Sequence, residues 1–194
     1  MRHALIMAGG SGVRLWPMSR RTQPKQLIPF IKGRNLMQLA TERLVDLVPA
    51  SRQYICAGEV HRDAILAALE GWPKERYLGE PNGRDTLAAV TLGAAVIARR
   101  DPEAVIAVFT ADHLIEPVEE FRRIVLQGYE LVERHPETLA TFGIAPDGPS
   151  TAYGYLELAE EVECGARRVK KFHEKPAKEV AREYFTAGPE RYLW

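Results

Sequence analysis

Short apolar runs alternate with helix-period stretches from residue 3 to residue 144, which predicts an α/β fold: a parallel sheet with helices on both faces. Two further observations support it. The run at 3–8 (HALIMA) is a short continuous apolar run after its His3 and that at 104–109 (AVIAVF) is all apolar, as in strands covered on both sides. Beyond residue 144 the rhythm shifts to short strands, which predicts a small β-rich elaboration beside the sheet.

Each element has its own signal. Residues 3–8 read as the first strand. Leu36, Leu39, Ala40, Leu44 and Leu47 recur at helical spacing, so 35–48 reads as a helix with Asn35 as its N-cap. Residues 53–57 read as a strand, and 59–69 as a helix ended by Gly71. Residues 84–100, mostly Ala, Leu and Val, predict a helix buried against the sheet. Residues 104–109 follow as a strand, 117–134 as an amphipathic helix with Pro117 near its first turn, and 138–144 as a further strand. Short strands at 155–158 and 167–172 and a helix at 177–187 complete the reading.

Composition sets outer limits. The 194 residues are 46% apolar, 27% charged and 8% aromatic, which suits one globular domain over 1–194. Net charge is zero, which argues against a general nucleic-acid binder but allows a local basic pocket. Two cysteines cannot form a disulfide framework, and Cys56, inside an apolar run, reads as an inert buried thiol. The start of the chain carries too short an apolar run for a signal peptide. The longest apolar stretch, 87–98, is too short to cross a bilayer, so no membrane partner is expected and the expected address is the cytoplasm. The strand-like ending Arg191-Tyr192-Leu193-Trp194 carries no cap or polar tail, and a chain cut short at its C-terminus is expected.

The strongest functional signal follows the first strand: Ala8-Gly9-Gly10-Ser11-Gly12-Val13-Arg14. Ligands bind at the carboxyl ends of strands in open α/β sheets. Glycines let the backbone approach a ligand and turn N–H groups toward anionic oxygens. Arg14 adds a fork for phosphate, Arg20 lies six positions on, and Lys25 supplies a compact cation. A dinucleotide fingerprint would need a glycine where Leu15 stands, and no Gly-Lys-Ser/Thr ends the loop as in a Walker A motif. The bland alternative is a glycine-rich turn without function. Asp112, just past the 104–109 strand, suits a hard cation, or equally a turn or helix cap.

These residues carry a resemblance. Gly9 to Arg20 followed by Pro24-Lys25-Gln26 resembles the signature loop of the sugar-nucleotide pyrophosphorylases, and Leu15-Trp16-Pro17 resembles its mannose-1-phosphate guanylyltransferase branch. Three further stretches agree with that branch. Glu80-Pro81-Asn82-Gly83-Arg84-Asp85-Thr86 resembles its base-reading segment, Ala111-Asp112-His113 its metal-binding turn, and Phe172-His173-Glu174-Lys175-Pro176 its sugar-side element. The branch's Asn followed by Thr-Ala-Pro is here Asp85-Thr86-Leu87-Ala88, a departure at the base contacts.

The resemblance implies a Rossmann-like, GT-A-like nucleotidyltransferase with a mixed sheet. It implies GTP and mannose 1-phosphate as substrates, GDP-mannose as product and Mg²⁺ as cofactor. Arg14, Arg20 and Lys25 would be catalytic, and Asp112 would bind the metal. Ala8, Gly9, Gly10, Ser11, Gly12, Val13, Glu80, Arg84, Asp85 and Thr86 would bind the nucleotide. Tyr153, Gly154, Glu174 and Lys175 would bind the sugar phosphate. Glu80 and Asp85 could accept from guanine N–H groups, although Asp85-Thr86 also suits an ordinary helix cap. Glu174-Lys175 also suits a solvated pair. The family's second metal-binding Asp has no candidate here, and a homodimer is allowed. The rivals are a thymidylyl or uridylyl enzyme acting on glucose 1-phosphate, and a non-catalytic nucleotide-sugar-binding protein on the same fold.

Overall fold

The computed structural model describes residues 1–10, 15–20 and 24–194. They form two compact units, Met1–Thr138 and Leu139–Trp194.

The first unit is an α/β sandwich. Its sheet has four parallel strands in the order β5-β4-β1-β6: β1 (Arg2–Met7), β4 (Gln53–Gly58), β5 (Tyr77–Glu80) and β6 (Val105–Thr110). In the central strand, Ile6 pairs with Ile55 on one side and Phe109 on the other. Alternation along β1 builds two cores. Ala4 and Ile6 face a cluster with Met37, Ala40, Ile65, Val125 and Tyr129. These come from α1 (Leu36–Glu42), α2 (Arg62–Ala68) and α4 (Val118–Arg134). Leu5 faces the opposite way, with Tyr54, Cys56, Ala89 and Ile97, under α3 (Asp85–Arg100). Each fully buried Leu or Ile contributes about 1.5–3 kcal/mol. Cys56 is the inert thiol expected, its pKa pushed up by burial to about 11.

The close contact of α3 explains Gly93. A Cβ there would stand 2.4 Å from the Leu5 side chain. Only one stripe of α3 is buried (Ala89, Gly93 and Ile97), while Leu87 is 79% exposed. The helix packs against the sheet as expected, through this one stripe.

Asn35 caps α1 as predicted. Its Oδ1 accepts from the Gln38 amide at 2.9 Å, while Gln38 Oε1 accepts from the Asn35 amide at 3.0 Å. The helix ends at Glu42 rather than continuing to residue 48. The Arg122 guanidinium donates to the carbonyls of Glu42 and Arg43, which a longer helix would use internally. The stretch beginning at Glu59 opens as a 3-10 turn, Glu59–His61, before α2. The hairpin of β2 (Pro29–Ile31) and β3 (Arg34–Asn35), closed by left-handed Lys32 and Gly33, was not predicted, and neither was β5.

In the second unit β7 (Tyr155–Glu163) pairs antiparallel with β8 (Ala166–His173) and with the short β9 (Tyr192–Leu193). Cys164 and Gly165, both at positive φ, close the β7–β8 hairpin. α5 (Lys178–Ala187) places Ala181 against Tyr155 and Tyr192 in a small core. The strand expected at 138–144 does not form. Ile144 exchanges one pair of backbone hydrogen bonds with Trp194, and the apolar run before it has no ladder partner among the described residues. Among those residues, no helix is long and apolar enough to cross a membrane.

Candidate functional site

The parallel register ends β1 and β6 side by side, Met7 opposite Thr110. Two loops therefore leave the sheet together at its carboxyl edge. Each is pinned by its backbone: the Ala8 amide donates to Cys56 at 2.8 Å, and the Ala111 amide to Met7 at 2.9 Å. Gly10 adopts φ +100°, a conformation suited to glycine. Ser11, Gly12, Val13 and Arg14 lie outside the described residues.

Across from these loops, Pro24 leads into a 3-10 turn, Lys25–Leu27. Lys25 Nζ donates to Asp112 Oδ2 at 2.5 Å, joining the proposed phosphate cation and the proposed metal carboxylate. Burial pushes the Asp112 carboxyl upward, but bonding and charge from Lys25, helped by His113 and Thr110, hold it below the usual carboxylate range. Asp112 is therefore ionised at neutral pH. His113 is mostly exposed, its Nε2 3.7 Å from Asp112 Oδ1. Arg20 is exposed and donates to the Pro17 carbonyl at 3.3 Å.

Gln26, at the root of the glycine loop, is a residue that the sequence reading did not assign. It is 1% exposed, and its amide donates to the carbonyls of Ala8 at 3.0 Å and Gly9 at 2.8 Å. These bonds fix the carbonyls at the root of the glycine loop. Its place in Pro24-Lys25-Gln26 is the signal that could have found it.

The base-reading candidates lie at the carboxyl end of β5 and the start of α3. Glu80 closes β5, and Arg84, Asp85 and Thr86 are exposed. No side chain caps α3, and Asp85 stands at φ +62°. The ordinary-cap reading of Asp85 is thus replaced by a left-handed residue at an uncapped helix start. β4 separates β5 from β1, so this segment and the glycine loop are two strand spacings apart, about 10 Å.

The sugar-side candidates belong to the second unit. Tyr153 is 54% exposed, with its ring 4.9 Å from that of Trp194. A Cβ at Gly154 would stand 2.2 Å from the tip of the exposed Phe172 ring, so a larger residue there would displace that ring. Glu174 and Lys175 pair with each other at 2.5 Å, both well exposed, with Lys175 at φ +38°. A part-buried network that the sequence reading missed lies just before them, centred on buried Glu157. Glu157 accepts from Lys170 at 2.8 Å and pairs with His173 Nε2 at 3.0 Å, and His173 Nδ1 meets the Tyr184 hydroxyl at 3.0 Å. Lys170, then His173, hold the Glu157 carboxyl down to about 2.

The donor set suits a divalent cation that arrives with phosphate. Among the described residues no group of three or more His, Cys, Asp or Glu could hold a metal ion. Asp112 offers one ionised, half-exposed carboxylate. Mg²⁺ is held in just this way, by one or two carboxylates plus substrate phosphates and water.

Comparison with known proteins gives the family of the chain. A family described as nucleotidyl transferase matches residues 3–194. A mannose-1-phosphate guanylyltransferase of Escherichia coli strain K12 is 36% identical over 200 residues, which is 99% of this chain and 41% of that protein. A crystal structure from Thermus thermophilus, described as a mannose-1-phosphate geranyltransferase, superposes with a TM-score of 0.84 at 34% identity, over 100% of this chain and 55% of that one. A mannose-6-phosphate isomerase from Helicobacter pylori superposes at 0.75 with 24% identity, over 98% of this chain and 67% of that one, a likeness of fold alone. This chain spans about 40% of the length of the curated relatives it matches.

Proposed function

We propose that this chain, which belongs to the nucleotidyl transferase family, joins mannose 1-phosphate to GTP, giving GDP-mannose and pyrophosphate. The observation that carries the reading is the Lys25–Asp112 pair at the mouth of the glycine loop. It brings a cation for phosphate and a carboxylate for a divalent cation to one point beside backbone that can cradle phosphates. The names and identities of the relatives support the choice of GTP and mannose 1-phosphate. The family match runs through both units, which supports treating 1–194 as one nucleotidyltransferase domain.

In this reaction a phosphate oxygen of mannose 1-phosphate attacks the α-phosphorus of GTP. A new P–O bond forms as the bond from that phosphorus to the α–β bridging oxygen breaks. Pyrophosphate leaves with the bridging oxygen and its electron pair. The nucleophile is already an anion, since the second pKa of a phosphate monoester is about 6, so no side chain has to remove a proton. Catalysis is then positioning and charge neutralisation. Lys25, Arg14 and Arg20 oppose the phosphate charge, and the N–H groups of residues 9–13 receive phosphate oxygens, while Ala8, its own N–H bonded to Cys56, anchors the loop. Gln26 holds the loop root. Asp112 would hold Mg²⁺, which supplies further positive charge to the phosphates when bound. Glu80 and Asp85 accept from the N1 and N2 hydrogens of guanine, with Arg84 and Thr86 beside them. Tyr153, Gly154, Glu174 and Lys175 bind the sugar phosphate. All these reactants are water-soluble, and we assign the activity to the cytoplasm.

The test is pyrophosphate release with paired substrates. GTP with mannose 1-phosphate should turn over, while UTP or dTTP with glucose 1-phosphate should not. Preference for a glucose 1-phosphate pair moves the chain to a rival branch. Binding of GDP-mannose without any turnover supports a regulatory protein.

A further inference from the structure

Arg43 is the least expected charge in the first unit. Arginine is rarely buried without an acidic partner, yet Arg43 is 5% exposed and makes no salt bridge among the described residues. Its hydrogen bonds go to main chain. Nη1 donates to the His113 carbonyl and Nη2 to the Thr110 carbonyl, each at 2.8 Å. These two carbonyls bracket Ala111-Asp112. The guanidinium lies 5.3 Å from the centre of the Phe121 ring, and the Arg43 carbonyl accepts from Arg122 Nε at 3.0 Å. Arg43 is therefore held by α4 while it holds the turn after β6.

Apart from Arg43, the turn is tied at the Asp112 side chain by Lys25. The Ala111 amide is tied to Met7, but beyond Asp112 the chain borders a pocket of about 210 Å³, lined by Leu39, Arg43, His113, Leu114, Glu116 and Arg122. Without Arg43 the segment after Ala111 would lose both of its bracketing bonds and face open space. The Asp112 carboxylate in turn favours the charged form of Arg43, against the effect of Arg43's own burial.

We infer that Arg43 is the positioning residue for Asp112: its two bonds to the carbonyls of Thr110 and His113 set the direction in which the Asp112 carboxylate is offered to a divalent cation. This rests on the reading of Asp112 as a metal ligand. It adds a residue that neither touches the metal nor touches substrate.

The experiment measures Mn²⁺ binding by the loss of its free paramagnetic signal, with GTP present, in the wild type, Arg43→Met, Arg43→Lys and Asp112→Asn. GTP binding in EDTA is measured beside it by calorimetry, and folding by circular dichroism. Loss of an outer-shell support typically weakens metal affinity by about 10–100-fold, and Arg43→Met should fall in that range while metal-free GTP affinity stays within about twofold. Arg43→Lys, which keeps the charge and can donate to one carbonyl, should recover most of the loss. If Arg43→Met does not fold, Arg43→Lys carries the test, with an expected loss of several-fold in Mn²⁺ affinity alone. Unchanged Mn²⁺ affinity in the Arg43 variants, while Asp112→Asn loses it, overturns the positioning role and leaves Asp112 as the ligand. A parallel fall in metal-free GTP affinity overturns it too, because Arg43 would then merely support the fold. Full Mn²⁺ affinity in Asp112→Asn overturns the ligand reading itself.

Discussion

The two units present their candidate residues differently. In the first, Lys25 and Asp112 stand on a frame that is fixed from beneath. Buried Gln26 ties the root of the glycine loop, and buried Arg43 ties the turn that carries Asp112. In the second, Glu174 and Lys175 pair with each other in solvent, and the part-buried polar network lies one residue earlier, at His173. The difference matches what each would have to do. Phosphoryl chemistry gains most from charges held in place before the ligand arrives, because they cost no reorganisation during reaction. Sugar hydroxyls need only recognition, and side chains that settle on binding can supply it.

Substitutions can break or sharpen this contrast. The largest effect is expected at Lys25. Lys25→Ala should raise the barrier by about 3–4 kcal/mol, a loss of roughly 10²–10³ in turnover, by analogy with removal of one oxyanion donor. A loss below tenfold in a pyrophosphate-release assay would remove Lys25 from the catalytic set. Gln26→Leu should cost about 1–3 kcal/mol, the penalty for leaving buried polar groups unpaired. It should appear as lower thermal stability and weaker GTP binding together, since both depend on the loop root.

In the second unit, Lys175→Ala should act on KM for mannose 1-phosphate, by about tenfold, with kcat little changed, as expected for a charged contact worth about 1.5 kcal/mol in ground and transition state alike. A collapse of kcat instead would show that the second unit takes part in the chemical step. The Glu157 network predicts a pH effect. The folded carboxyl titrates at about 2, below its unfolded value of 4.5, so its contribution is present above pH 4.5 and is lost as the pH falls toward 2. Denaturation across that window should show the loss in the wild type and a flatter profile in Glu157→Gln. Glu174→Gln should change stability by less than about 1 kcal/mol, because the pair it breaks is exposed.

Much of this was legible in the sequence. The nearly continuous apolar runs announced β1 and β6, since strands covered on both faces carry few polar positions. Asn35 announced its helix, because it stands just before apolar residues that recur at helical spacing, and the structure adds its reciprocal bond with Gln38. The glycine loop, Lys25 and Asp112 stood out as residue types that phosphate and metal chemistry need. What stayed hidden depends on distant main chain. Gln26 bonds to carbonyls 17 and 18 residues away, and Arg43 to carbonyls 67 and 70 away, and a carbonyl leaves no mark in a sequence. The strand expected at 138–144 failed for a related reason. Its apolar residues suit a strand, but only Ile144 is shown exchanging a pair of backbone bonds with a partner, Trp194. β5 escaped notice because Tyr77–Glu80 is four residues long and ends in Gly-Glu.

The most direct test of the account is a calorimetric titration of this chain with GDP-mannose in Mg²⁺, with UDP-glucose and dTDP-glucose in parallel. Selective binding of GDP-mannose is the predicted result. Equal binding of all three, or preference for a glucose nucleotide, would contradict the assignment of guanine and mannose to this site.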